Sequence, residues 1–196
     1  VATTTEPAVS PADRRGKPTP AQRLLDTATT LFARYGIRAV GIDRVLAEAG
    51  VARASMYSAY GSKDALVVAY LENLDRCDRA RWHEAIAEVV DPQDRILAFF
   101  DLALASAPDR GFRGCRYANA ATEFPDEPLA PVVAHRRWMF DTLTELLRIR
   151  GAADPPGLAR RIQLIYDGAL AGSKLEHAIE PLQIGRAVAV ELLRGG

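Results

Sequence analysis

Apolar residues recur at three- and four-residue intervals along most of the chain, and no segment sustains a two-residue alternation of Val, Ile and Thr. This periodicity predicts helices throughout and no strand. The first helix opens at Thr19-Pro20-Ala21-Gln22, where threonine can cap and proline can occupy the first helical position. Leu24, Ala28, Leu31, Phe32 and Tyr35 form its inner face, and Gly36 stops it. Two short helices are predicted within Gly41 to Lys63. One runs from about Ile42 to Ala49, with Ile42, Val45, Leu46 and Ala49 on one face; the other runs roughly from Arg53 to Tyr60, with Met56 and Tyr60 turned inward. Gly50 between them can take the left-handed conformation that ends a helix without side-chain cost.

Ser62 caps the next helix, predicted from Lys63 to about Val90 and on the order of 40 Å long. Asp91-Pro92-Gln93-Asp94 then starts a helix carrying Ile96, Leu97, Phe99, Phe100, Ala103 and Leu104. Ala107 to Gly114 reads as a loop, Cys115 to Phe124 as a short helix, and Pro125 to Pro131 as a connection. Helices follow over Val132 to Arg150, about Leu158 to Ala178, and Pro181 to about Leu193, which makes about nine in an all-α chain.

The 196 residues suffice for one sizeable core, or for a small module joined to a larger one. No apolar run approaches the roughly 20 residues that span a bilayer, and VATTTEPAVSPADRRGKPTP lacks the apolar centre of a secretory signal. The expected location is the cytoplasm, with no membrane partner. Cys77 and Cys115 are too few for a disulfide framework or a cysteine-based zinc site. His83, His135 and His177 are scattered singly, none with a second histidine or a cysteine three or four residues away, so neither a metal nor a cofactor is expected.

Charge changes the picture by its distribution. The formal net charge is zero, yet the residues up to Lys63 hold nine basic against five acidic side chains, which leaves the remainder acidic. A basic front end on an acidic body suits a protein of which one module meets phosphate. Residues 1–18 have no hydrophobic period and carry Arg14, Arg15 and Lys17. They read as a disordered basic arm, either tracking DNA or solubilising the chain.

The outer face of the second short helix carries Arg53, Ala54, Ser55, Tyr57 and Ser58. It is small and polar, with an arginine suited to guanine or phosphate and hydroxyls suited to either, so a DNA major groove can admit it. Spacing alone allows a second reading, a pair of packing helices. The string AGVARASMYSAYGSKDAL, through Ala49, Gly50, Val51, Arg53, Ala54, Ser55, Met56, Tyr57, Tyr60, Ser62, Lys63 and Asp64, resembles the signature of the TetR family of bacterial transcriptional regulators. Two departures stand out. Ser58-Ala59 replaces a bulkier pair, which implies a different base preference, and Gly41 replaces a capping hydroxyl residue, which implies one phosphate contact fewer. The strong resemblance covers about residues 20–75; beyond it, GFRGCRYANAATEFPDEP and the architecture are similar to the family in a looser way.

The resemblance implies a helix-turn-helix module over 19–65 and a helical body over 66–196 for ligand binding and dimerisation. DNA contacts would fall to Arg44, Arg53, Ala54, Ser55, Tyr57, Ser58 and Lys63, the last helped by backbone N–H groups at a helix start. A ligand pocket would draw on Trp82, Phe100, Leu104, Tyr117 and Phe124, on Trp138, Met139 and Tyr166, and on Asn119 and Gln163 for polarity. Ordinary core packing accounts for the same aromatic spacing. A homodimer would form through the last two helices, with Ile162, Ala169, Gly172, Ile184, Val188 and Leu192 at the interface.

The expected function is a ligand-responsive repressor that binds a palindromic operator as a homodimer and is released by a small apolar effector. The alternative is a small helical enzyme or carrier with structural front helices. Against it, there is no G-x-S-x-G elbow, no phosphate-binding G-x-x-x-x-G-K-S/T loop and no H-E-x-x-H pairing of histidines and carboxylate at metal spacing. Zero net charge argues against unspecific chromosome packing, which depends on phosphate neutralisation.

Overall fold

The computed structural model describes residues 17–126 and 128–195, and these contain nine helices and no strand. The basic arm expected over 1–18 lies almost wholly outside the described residues. Helix α1 spans Pro20–Tyr35, α2 Ile42–Ala49, α3 Arg53–Tyr60, α4 Lys63–Ala85 and α5 Pro92–Ser106; α6 spans Arg116–Glu123, α7 Ala130–Ile149, α8 Pro155–Glu176 and α9 Glu180–Gly195.

Local chemistry sets most of these ends. The Thr19 hydroxyl accepts the Gln22 N–H at 3.2 Å to start α1, and Ser62 Oγ accepts the Ala65 N–H at 3.0 Å to start α4. Gly50 adopts φ 61° and ψ 43°, with its N–H directed at the carbonyls of Ala47 and Leu46, which closes α2. Asp91 caps α5, Cys115 Sγ accepts from the Ala118 N–H to cap α6, and Asp154 caps α8.

Two elements depart from the periodicity. Helix α4 ends at Ala85 rather than near Val90, so its 23 residues span about 34 Å. The chain tightens into successive turns over 86–88, and Arg95 of α5 donates to the Val89 carbonyl at 2.7 Å, which ties the segment after α4 to the next helix. Helix α8 begins at Pro155, three residues before the expected start, because Asp154 caps it and both prolines fit its first turn.

Packing produces two main cores. Leu24, Val45, Met56, Leu66 and Leu71 are fully buried in the first, where α1, α2, α3 and the front of α4 meet; Tyr117 and Ala120 of α6 also enter it. The second joins α5, α7, α8 and α9 around Ile96, Phe100, Leu143, Leu158, Ile162 and Leu193, with Trp82 from the far part of α4. Helix α4 therefore contributes to both. Between α8 and α9 the approach is so close that a Cβ on Gly185 would lie 2.6 Å from the Ala169 Cβ.

That close contact turns part of the face expected at a dimer interface into the subunit's own interior. Ile162 and Ala169 are buried within the subunit, Gly172 faces Pro181 of the same chain, and Val188 and Leu192 are half-buried. The outward stripe of α8 is Leu164, Gly168, Ala171 and Leu175, where Leu164 and Leu175 are 60% and 82% exposed. Ile184 remains outside on α9 at 63% exposure.

Candidate functional site

Met56 is buried beneath α3, so the opposite side of this short helix must face solvent. Arg53, Ala54, Tyr57 and Ser58 are exposed there, and Ser55 is half-buried beside them. Tyr60 turns inward and donates its hydroxyl to the Ala21 carbonyl at 2.9 Å. Arg23 of α1 fastens the turn from behind, donating to the carbonyls of Ala49 and Gly50 at 3.2 and 3.4 Å. The helix is thereby fixed from below while its outer face stays open.

The cations around this face are held in different ways. Arg53 is ion-paired with Asp43, and both side chains are well exposed. Such an exposed pair is worth at most about 1 kcal/mol, so an incoming phosphate or base can replace it. Arg44 pairs with Glu48 at 2.8 Å and lies over the Tyr35 ring at 4.2 Å. Lys63 does not project freely. Its ammonium donates to the Ile37 carbonyl at 3.0 Å, leaving its remaining protons for other acceptors.

A second feature lies in the body, a cavity of about 100 Å³ between α4, α5, α6, α7 and α8. Of the residues expected to bind a ligand, Trp82, Tyr117, Trp138, Met139 and Tyr166 line it. Trp82 stacks on Phe99 with centroids 5.1 Å apart, and Trp138 meets both edge-on. These rings form one aromatic wall.

The other five assigned residues do not line the cavity. Phe100 is fully buried behind it, edge-on to Tyr166, and Leu104 packs with Ala103, Ala169 and Leu182. Phe124 packs on the first core. Gln163 is buried and spends its amide on the Arg136 carbonyl and the Arg160 guanidinium. Asn119 instead braces the loop before α6, donating to the Arg113 carbonyl at 2.9 Å and accepting from Lys174 at 2.8 Å.

Sequence reasoning missed the polar side of the cavity. Arg81, Arg110, Arg113, Arg116, Asp78 and His135 line it. One signal was available, since Arg110, Arg113 and Arg116 recur every third residue around a glycine-containing turn. Arg116 grips both oxygens of Asp78, at 2.8 and 3.1 Å, and the Tyr117 hydroxyl donates to the same carboxylate at 3.0 Å. Burial pushes the Tyr117 phenol far above its ordinary range, and the Asp78 charge adds to this, so it remains a donor.

His135 stacks on Tyr117 with centroids 3.8 Å apart and directs Nδ1 to Asp75 at 2.8 Å. A carboxylate only accepts, so Nδ1 carries the proton. Burial holds the imidazole below its ordinary value despite the Asp75 hydrogen bond, which makes the ring neutral at pH 7. Cys115 borders the cavity as a thiol, its ionisation opposed chiefly by burial. Among the described residues no group of three or more His, Cys, Asp and Glu is arranged to hold a metal, and no helix is long and apolar enough to cross a membrane.

Helix α6 runs from the cavity to the α1–α2 connection. Its first residues line the cavity, while Glu123 at its end accepts the backbone N–H groups of Ile37 and Arg38 in the α1–α2 connection.

Comparison with known proteins gives both features a context. Residues 24–70 match the family described as bacterial regulatory proteins, tetR family. The crystal structure of SCO4454, a TetR-family transcriptional regulator from Streptomyces coelicolor, is 37% identical; the alignment covers 90% of this chain and 95% of that one, with a TM-score of 0.83. The transcriptional regulator AcuR of Cereibacter sphaeroides is 27% identical over 199 residues, covering 92% of this chain and 91% of that protein.

Proposed function

The chain belongs to the TetR family of bacterial transcriptional regulators, and from that premise we propose that it is a ligand-responsive repressor. It binds a palindromic operator as a homodimer and leaves it when a small, largely apolar effector enters the cavity. Residues 19–65 form the DNA-reading part, and residues 66–196 bind the effector and the second subunit in the bacterial cytoplasm.

The single observation that carries this reading is the α3 face. Arg53, Ala54, Tyr57 and Ser58 lie exposed on a helix fixed from beneath by Met56, Tyr60 and Arg23. A short rigid helix with one arginine, two hydroxyls and otherwise small groups matches the depth and chemistry of a major groove. Three exposed apolar side chains, Leu164, Leu175 and Ile184, support a partner surface on α8 and α9. Effector release is supported by α4 and α6, which both reach from the cavity into the first core.

Binding energy reaches the DNA face through these packed helices. A coupling of about 1–3 kcal/mol is enough for a 5- to 150-fold change in operator affinity. The test is a mobility shift with DNA from upstream of the protein's own gene against shuffled DNA of equal length. A repressor retards the native fragment selectively at moderate salt; equal retardation of both fragments refutes the reading.

A further inference from the structure

The polar side of the cavity is more positive than its surroundings explain. Four arginines line it, Arg81, Arg110, Arg113 and Arg116, and Asp78 is the one lining carboxylate. That carboxylate is already occupied by Arg116 and the Tyr117 hydroxyl. Arg81 approaches it only at 3.9 Å. Among the described residues, the Arg110 side chain forms neither a hydrogen bond nor an ion pair, although it stands at the turn between α5 and α6 where the cavity is walled. Burial first, then the nearby charges of Arg116 and Arg81, work against its protonated form, and the Asp78 charge offsets them only in part. The Tyr166 hydroxyl, also lining the cavity, has no partner among the described residues, and each of these two groups influences the ionisation of the other.

We infer that the cavity takes a small organic anion, a carboxylate carried on a single aromatic ring or an apolar body of similar bulk. Its charge meets the Arg110 guanidinium and the Tyr166 hydroxyl. Its body lies on the wall of Trp82, Phe99 and Trp138. This rests on the reading that the cavity is the effector site, and it changes the effector from a purely apolar molecule to an amphiphilic one.

The chemistry on each side leads to this choice. A guanidinium presents paired N–H donors that fit the two oxygens of a carboxylate. A cation left without a counter-charge in a partly desolvated site favours whatever ligand supplies one. The volume of about 100 Å³ limits the bulk. An apolar cavity of roughly 150 Å³ holds benzene, so the body is no larger than one ring and is only partly enclosed here, with the carboxylate outside this volume on the arginine side. A neutral hydrocarbon would fill the aromatic wall but leave Arg110 with only the Asp78 charge that Arg116 already holds.

Trp82 and Trp138 are the chain's two tryptophans, and both line the cavity, so intrinsic fluorescence reports directly on occupancy. The experiment titrates the full chain with benzoate, phenylacetate and trans-cinnamate and with the amide of each. Mobility shift on the same samples follows operator release. The expected result is a saturable change with at least one acid, at an affinity at least tenfold tighter than its amide. Arg110→Gln removes this preference, and Arg110→Lys retains part of it, with circular dichroism showing that both variants are folded.

Equal binding of acid and amide, persistence of the preference in Arg110→Gln, or no saturable change with any acid overturns the inference. An amide that binds as well as its acid and releases the operator sinks the anion assignment while keeping the effector reading. Acid-selective binding that leaves the operator complex intact supports the anion site and sinks the cavity's regulatory role.

Discussion

The Glu123 carboxylate at the end of α6 accepts the backbone N–H of Ile37 at 3.1 Å, and the Lys63 ammonium donates to the carbonyl of that same Ile37 at 3.0 Å. One residue of the α1–α2 connection is thus held by the first residue of α4 and the last residue of α6. A shift of either helix must move the support of the DNA-reading module.

Removing the α6 clamp separates binding from response. Glu123→Ala deprives two backbone N–H groups of a charged acceptor and should cost about 1–3 kcal/mol in urea unfolding. Ligand affinity at the cavity should stay unchanged while the ligand-dependent fall in operator affinity shrinks toward none. An undiminished response in Glu123→Ala would show that α4 alone carries the signal.

The dimer prediction rests on exposed positions. Leu175→Glu combined with Ile184→Glu places charges on the outward face of α8 and α9, where the isolated subunit loses little, within about 0.5 kcal/mol per site. Sedimentation should show a dimer for the parent chain and a folded monomer for the variant, with operator binding lost. A variant that remains dimeric would place the partner surface elsewhere.

Acid should weaken the fold through His135. Burial holds this imidazole below 6.5, outweighing the Asp75 and Asp78 charges, and Arg79 acts in the same direction as burial. A group depressed by folding gives its full stability above its unfolded value, and that stability is lost as pH falls toward its folded value. The melting temperature should therefore decline as pH drops below about 6.5. Burial also acts to raise the Asp75 carboxyl, but hydrogen bonds from Arg79 and His135 lower it overall, so a further loss follows in the carboxylate range. His135→Asn should flatten the upper part of this profile; an unchanged slope would assign the effect to another group.

Close packing of α8 and α9 can be tested at Gly185. The alanine methyl of Gly185→Ala would meet the Ala169 Cβ at 2.6 Å and lie 3.5 Å from Phe100 Cε1. Overpacking of this kind costs about 1–3 kcal/mol, visible as a lower urea midpoint. An unchanged midpoint would mean that the two helices separate without penalty.

The sequence disclosed what is local. Thr19, Gly50, Ser62 and Asp91 act on their own helix ends, so α1 to α3 and the start of α5 were readable within a residue or so. The far end of α4 was not, because Val89 and Val90 extend the apolar pattern while the Arg95 contact that holds the segment after α4 comes from the next helix. Nor was the facing of α8, which is apolar on two sides; Ala169 against Gly185 decides that the Ile162 side turns inward and the Leu164 side outward. The aromatic wall was visible as bulky residues, whereas Arg110 acquires its meaning only when Asp78 is seen to be occupied by Arg116.

Sequence-specific recognition by the α3 face is the central claim, and selection from a random-sequence DNA pool at moderate salt tests it most directly. The parent chain should enrich a two-fold symmetric motif whose half-sites lie about 34–36 Å apart or a multiple of that. Arg53→Ala should weaken binding to the motif by about 1–3 kcal/mol and relax the preference at one base position in each half-site. Failure of the parent chain to enrich any motif, with binding that follows salt alone, would contradict the account.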